Sequence, residues 1–386
     1  MTTLAPSRFR ATRPLPLRAG AAALACLLMA SAGGAGARGP DPSAAALIQE
    51  LGLQPGKVAT RDLPGWKVPD RIVVAPQAAQ WLPRLQSAVP GVELVVAAEG
   101  AARAEQLATA PVVIGLCDAA TLEAAKAVLW IQALSAGVER CVGVPGFAAR
   151  GIVLTNLQRT MGPPIAEHSI AMMMALARGL PQFGRSQQAG RWDDDAAVTG
   201  GMREVGGRTM LVVGLGGIGT EVAKRAHALG MRVIATRNSS REGPDFVAKV
   251  GLPGELNALA AEADVVVNAT PLTPETTGIF DGAFFAAMKP GGYFITVGRG
   301  ASTKTDALVA ALRSGRLAGA GLDVTDPEPL PPDSPLWAMP NVIITPHVSA
   351  SSDLQLERIA VVVAENLRRY VAGEPLLNVV DVERGY

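Results

Sequence analysis

Three polar side chains in this 386-residue chain close apolar runs of strand-like composition: Arg299 in TVGRG, Glu328 in LDVTDPEPL and His347 in ITPHVSA. A planar guanidinium matches a carboxylate through two parallel hydrogen bonds, so Arg299 suits holding and polarising an anionic substrate. An imidazole exchanges its proton near neutral pH, so His347 suits donating one to a carbonyl oxygen. A carboxylate beside the ring favours its protonated form, so Glu328 suits keeping that donor loaded. Cation, proton donor and carboxylate are together what the reduction of a keto acid by hydride demands. The carboxyl ends of strands in an open α/β sheet face the ligand crevice, and the three residues are expected to converge there.

A hydride needs a carrier, and the segment LVVGLGGIGTEVAKRAHALG offers a site for one. Gly214, Gly216 and Gly219 form a GxGxxG that follows an apolar strand and opens a helix, with Gly217 and Ile218 completing the turn. The first glycine allows a tight turn, the second lets the backbone approach a pyrophosphate, and the third lets helix and strand pack closely. Free N–H groups at the helix start face the phosphates. An NAD site usually places an acid at the end of the next strand, to bond the ribose hydroxyls. Here MRVIATRNSSR puts Arg237 there, followed by Asn238, Ser239, Ser240 and Arg241. A carboxylate would repel a 2′-phosphate, whereas guanidinium groups and hydroxyls hold one. The expected cofactor is NADP(H), with NAD(H) second.

Positioning these residues requires a doubly wound α/β fold. Short apolar runs at 71–75, 92–97, 112–116, 130–134 and 152–155 alternate with Ala-rich helical stretches and predict a first βα domain. A long helical pattern, AEHSIAMMMALARGL, then runs to Pro181, which should kink or end it. Its Met172, Met173 and Met174 read as core packing. A second series of six strand candidates begins at Thr209 and predicts the dinucleotide-binding domain. The expected organisation is a leader at 1–37, a substrate domain at 38–160, a Rossmann-like domain at 161–345, and a return to the substrate domain at 346–386. The stretch from Asp41 to about Pro69 reads as an N-terminal extension.

The near-balanced charge, 35 basic against 34 acidic residues, leaves no field for nucleic acid. Asp193, Asp194 and Asp195 read as a solvated turn, and no metal site is expected. Cys117 and Cys141 read as two separate half-buried thiols, bonded only if the mature protein is exported. His227 reads as surface or packing, and His168 as bonding near the domain hinge. Before Asp41 the chain carries Arg8, Arg10, Arg13, Arg18 and Arg38 but no acid. An uncharged run then ends in Ala35-Gly36-Ala37, the pattern of a cleaved signal peptide. Gly33, Gly34 and Gly36 weaken any spanning helix, so no stable membrane span is expected. Translation from Met29 would instead give a cytoplasmic protein.

The motifs ALSAGVE, PPIAEHSIAMMMALAR, VVGLGGIG, NATPLTPET, VGRG, GLDVTDPEP and ITPHVS, in that order, resemble the D-isomer-specific 2-hydroxyacid dehydrogenase family from about Ile72 to Asp381. The resemblance implies that Arg299, Glu328 and His347 are the catalytic set. It implies that backbone amides around Ala136, Gly137 and Val138 hold the substrate carboxylate. Asp323, with the backbone near Val297, would orient the nicotinamide carboxamide, and Thr270 and Pro271 would line the adenosine side. Two Rossmann-like domains and a homodimer are implied. Formate dehydrogenases of this fold carry Gln where Glu328 stands, so Glu328 points to a small 2-keto acid; the arginine after the second strand resembles glyoxylate and hydroxypyruvate reductases. The alternative is a dinucleotide-sensing binding protein, since some relatives act as corepressors.

Overall fold

A computed structural model describes residues 41–194 and 201–385. The leader at 1–37 and Asp195 of the aspartate run lie outside the described residues. An edge strand β1 (Pro55–Ala59) precedes five strands of the first domain: β2 (Arg71–Val74), β3 (Glu93–Val96), β4 (Val112–Ile114), β5 (Trp130–Gln132) and β6 (Val153–Thr155). They form one parallel sheet in the order β3-β2-β4-β5-β6. Seven more follow: β7 (Thr209–Val213), β8 (Arg232–Thr236), β9 (Lys249–Gly251), β10 (Val265–Asn268), β11 (Gly292–Thr296), β12 (Leu317–Leu322) and β13 (Val342–Ile344). Their order is β13-β12-β11-β10-β7-β8-β9, again all parallel. Both are the doubly wound sheets expected from the sequence. Runs such as Ile72-Val73-Val74 and Met210-Leu211-Val212 are fully buried because helices cover both faces of a parallel sheet.

The helix Gly162–Ala177 carries Met172 and Met173 into the core. It ends before Gly179, whose φ of 66° reverses the chain, and Pro181 sits in the first turn of the next helix, Leu180–Gln188. Proline thus starts a helix rather than kinking one, since its missing N–H has no partner to lose in a first turn.

Residues 41–69 are integral to the fold, where the sequence suggested an extension. The helix Pro42–Leu51 is capped by the Asp41 side chain, which accepts from Ser43 N at 2.9 Å. Ala44, Leu51 and Leu53 are buried, and β1 pairs antiparallel with the last strand, β14 (Pro375–Leu377). The helix Gln355–Ala372 returns to the first sheet. There Asn366 Nδ2 donates to Gln132 Oε1 at 2.9 Å, and Asn366 Oδ1 accepts from Leu377 N at 2.8 Å. Tyr370 stacks on Trp130 with ring centres 5.2 Å apart, and burial pushes its phenol up to about 12. Cys117 and Cys141 form a disulfide, contrary to the expectation of two free thiols, because β4 and the helix Glu139–Val142 bring them side by side. No helix among the described residues is long and apolar enough to cross a membrane.

Candidate active site

Every site residue proposed in the second domain follows the carboxyl end of a strand, and all seven strands point the same way. Across the neighbouring strands β13, β12, β11, β10 and β7, the turns that follow carry His347, Asp323, Arg299, Thr270 and Gly214 in that order. The parallel sheet itself therefore collects residues up to 133 positions apart in sequence along one edge.

At β7 the glycine turn has the geometry its spacing predicts. Gly214 has φ of 94°, which a side chain would strain, and a Cβ on Gly219 would lie 2.1 Å from the Gly214 carbonyl oxygen. A Cβ on Gly216 would meet nothing within 4 Å, so this backbone is open to a ligand at the start of the helix Gly217–Ala228. Gly217 is closed against the Arg159 backbone, and Ile218 is half-buried against the core. At the end of β8, Arg237 donates through Nη1 to Glu242 O at 3.1 Å, beside exposed Asn238 and Ser239. Arg241 is committed to Glu255 at 2.7 Å, so its charge is already balanced. These features fit a dinucleotide whose pyrophosphate lies on the glycine turn and whose ribose lies at Arg237.

Arg299 lies where the two domains meet. Its Nε is 3.0 Å from Glu139 Oε1, and its Nη1 donates to Gly298 O at 2.8 Å. A Cβ on Gly137 would lie 1.7 Å from Arg299 Nη2, so only glycine lets the guanidinium rest on that loop. The loop is tied down by Asn156 Nδ2 donating to Ala136 O at 2.6 Å and by Ser135 Oγ donating to Gly137 O at 2.6 Å. The N–H groups of Ala136, Gly137 and Val138 make no hydrogen bond among the described residues. Three free amides beside a guanidinium form a receptor for a carboxylate.

His347 and Glu328 form the second half of the site. Nδ1 of His347 lies 3.0 and 3.2 Å from the two Glu328 oxygens. Because that nitrogen is engaged, Nε2 is the one left to exchange a proton. The side chains are 47% and 40% exposed, so the pair faces solvent rather than the core. The Arg299 turn touches the loop that carries Glu328: a Cβ on Gly300 would collide with Thr325 O.

Asp323 is enclosed by the turn that follows β13. Its side chain is 0% exposed and accepts from Thr345 Oγ1 at 2.6 Å, Val348 N at 2.9 Å and Ser349 N at 3.1 Å. Burial alone would raise its carboxyl, but the bonds from Ser349, Thr345 and Val348 outweigh it and hold the group below the usual range. Asp323 O also accepts from His347 N at 2.8 Å. His347 has φ of 54°, a conformation costly for a non-glycine residue, and this cage holds it. His168 joins the cage, 2.9 Å from Thr345 Oγ1, where the sequence suggested only a bond near the hinge. Val297 N is taken by Asn268 O at 3.1 Å. Thr270 turns both its hydroxyl and its N–H to Asn268 Oδ1, and Pro271 beside it is half-buried. Sequence reasoning missed the part played by Asn268 and Thr345. Both are uncharged, and only tertiary contacts reveal them.

Residues 170–349 match the family model described as D-isomer specific 2-hydroxyacid dehydrogenase, NAD binding domain. The chain is 34% identical over 270 residues to a glyoxylate reductase of Korarchaeum cryptofilum, covering 69% of this chain and 80% of that one. It is 35% identical over 271 residues to a D-3-phosphoglycerate dehydrogenase of Archaeoglobus fulgidus, covering 69% of this chain but only 49% of that protein. The match thus spans about half the length of that relative. Among solved structures, a D-isomer specific 2-hydroxyacid dehydrogenase from Xanthobacter autotrophicus Py2, in complex with NADPH and MES, superposes with a TM-score of 0.71 at 31% identity, covering 82% of this chain and 99% of that one. With the family model over residues 170–349 and a relative 34% identical of which 80% is covered, the chain belongs to the D-isomer specific 2-hydroxyacid dehydrogenase family.

Proposed function

We propose that this protein reduces a small 2-keto acid of the glyoxylate or hydroxypyruvate type to the D-2-hydroxy acid, with NADPH as the preferred cofactor. The carrying observation is the open His347–Glu328 pair joined, through the Gly300–Thr325 contact, to Arg299, whose guanidinium rests against the 136–138 loop and its three free amides. A dinucleotide held by the glycine turn at Gly214, Gly216 and Gly219 and by Arg237 would supply the hydride. Arg299 and the amides of Ala136, Gly137 and Val138 hold the substrate carboxylate and fix the carbonyl beside His347. His347 gives its Nε2 proton to the carbonyl oxygen, and Glu328 stabilises the imidazolium before transfer. Arg237, with Asn238 and Ser239 beside it, supports the 2′-phosphate assignment, as does the NADPH complex of the Xanthobacter relative. An intact proton donor disfavours a purely sensing role, which has no use for one.

The test is purified protein with glyoxylate, hydroxypyruvate, pyruvate and phenylpyruvate, each with NADPH and NADH. His347→Gln should lower kcat by at least about 100-fold, the usual contribution of a general acid. Turnover undiminished in that variant would refute the assignment.

The reading extends to a homodimer and to export. Leu180 and Trp192, 56% and 94% exposed, supply apolar surface for a second copy, and sedimentation would measure the association. The basic leader together with the Cys117–Cys141 disulfide supports an oxidising compartment, which fractionation of cells would test.

A further inference from the structure

We infer that Asn268 is a positioning residue that sets Arg299 for the keto acid, acting through Ser302. The inference rests on the substrate-holding role proposed for Arg299. Asn268 ends β10 with its side chain wholly buried and uses both of its polar atoms. Oδ1 accepts from Thr270 N at 3.0 Å and Thr270 Oγ1 at 2.8 Å. Nδ2 donates to Thr296 Oγ1 at 3.0 Å and to Ser302 Oγ at 2.8 Å. Ser302, itself fully buried, donates a hydrogen bond from its hydroxyl to Arg299 O at 2.6 Å.

The direction of that last proton matters. An amide N–H can only donate, so Ser302 Oγ must accept from Asn268, and its one hydrogen is then committed to the Arg299 carbonyl. Asn268 therefore determines where the Arg299 backbone sits, while its other end fixes the Thr270–Pro271 turn at the cofactor crevice. One buried amide joins the loop that faces the dinucleotide to the residue that faces the substrate. The guanidinium works within hydrogen-bonding distance of Glu139 and in contact with Gly137, so a small drift of its backbone misplaces the fork.

Two variants separate positioning from mere support of the fold. Ser302→Ala removes only the tie to Arg299 O. Asn268→Asp keeps an oxygen toward Thr270 but replaces the donor with an acceptor, which turns the Ser302 proton away from Arg299. Each should raise KM for glyoxylate about 10-fold, the size of one buried hydrogen bond left half-made. NADPH affinity of Ser302→Ala, read by fluorescence titration, should stay within about twofold, because the Thr270 bonds persist. The double variant should be no worse than Asn268→Asp alone, since both break one chain of bonds. A purely structural role would lower the amount of folded enzyme, and with it apparent kcat and Tm, while leaving KM unchanged. That result, or additive losses in the double variant, would overturn the inference. Arg299→Ala is the control: a raised KM there with normal KM in the other two rejects Asn268 alone, whereas normal KM in all three rejects the substrate role of Arg299 and the inference with it.

Discussion

Replacing Arg237 by alanine should remove most of the preference for NADPH, and the structure sets how much. Arg237 Nη1 donates to the Glu242 carbonyl at 3.1 Å, which orients the guanidinium without neutralising it. Arg241 is balanced by Glu255 at 2.7 Å; the Glu255 carboxyl is held below its usual range by Leu252 N–H first and by Arg241 after it, so it stays ionised. A hydrogen bond to a charged partner contributes about 1.5–3 kcal/mol. Arg237 is partly exposed, which favours the lower half of that range, or roughly 10–40-fold at 1.4 kcal/mol per tenfold. Arg237→Ala should therefore lower kcat/KM for NADPH by about 10–40-fold and leave NADH within about threefold. Arg241→Ala should cost under about fivefold, because most of its field is already cancelled. Initial rates with both dinucleotides at fixed low ionic strength measure the ratios. An unchanged ratio in Arg237→Ala, or a larger loss in Arg241→Ala, would refute the assignment of the 2′-phosphate to Arg237.

Three further outcomes follow from the geometry. Gly216→Ala should keep the parent Tm, since its methyl meets nothing within 4 Å, yet weaken NADPH binding about 10-fold by blocking close approach of the pyrophosphate; Gly219→Ala, 2.1 Å from the Gly214 carbonyl oxygen, should disrupt the turn and lower Tm. Asp323→Asn should lower stability by about 1–3 kcal/mol, since an amide group would confront donors that the carboxylate accepts. Because the folded-state pKa of Asp323 is depressed, its contribution is complete above the unfolded value of about 3.9 and is lost as pH falls through the lower folded one. The Tm gap between parent and Asp323→Asn should therefore narrow below about pH 4, and a constant gap would contradict the cage. Finally, Cys117→Ser/Cys141→Ser should lose up to about 3.5 kcal/mol in urea titrations, the loop entropy expected for a sequence separation of 24, and a reductant should reproduce the loss only in the parent.

Much of the fold was legible because its signals are local. Valine and isoleucine runs separated by Ala-rich stretches specify parallel strands and crossing helices, and the sheets appear where those runs lie. The glycine turn was legible for the same reason: its three glycines act within six residues. The N-terminal segment was misread because β1, of sequence PGKVA, is short and poor in apolar residues, and its partner is β14, more than 300 residues away. The disulfide was hidden likewise: the spacing of Cys117 and Cys141 fits no motif, and only the meeting of the turn after β4 with the helix Glu139–Val142 decides it.

Charged and catalytic side chains announce themselves by type, but the groups that aim them do not. Arg299, Glu328 and His347 stand out because few residues can do their chemistry, whereas Asn268, Ser302 and Thr345 are ordinary at strand ends. Their contributions are geometric: Asn268 spans two turns, and Thr345 sits between His168 and Asp323 under the strained His347 backbone. Asp323 illustrates the limit from the other side. Its type and position suggested a role at the cofactor, and its carboxylate accepts from three donors in the turn after β13, the turn that carries His347. A carboxylate so enclosed stays ionised because every bond it accepts is strongest to the anion. The bonds that depress its pKa hold residues on both sides of His347, and the Asp323 main-chain oxygen accepts from His347 N at 2.8 Å, which is why the acid stability of the fold and the geometry of His347 should fail together.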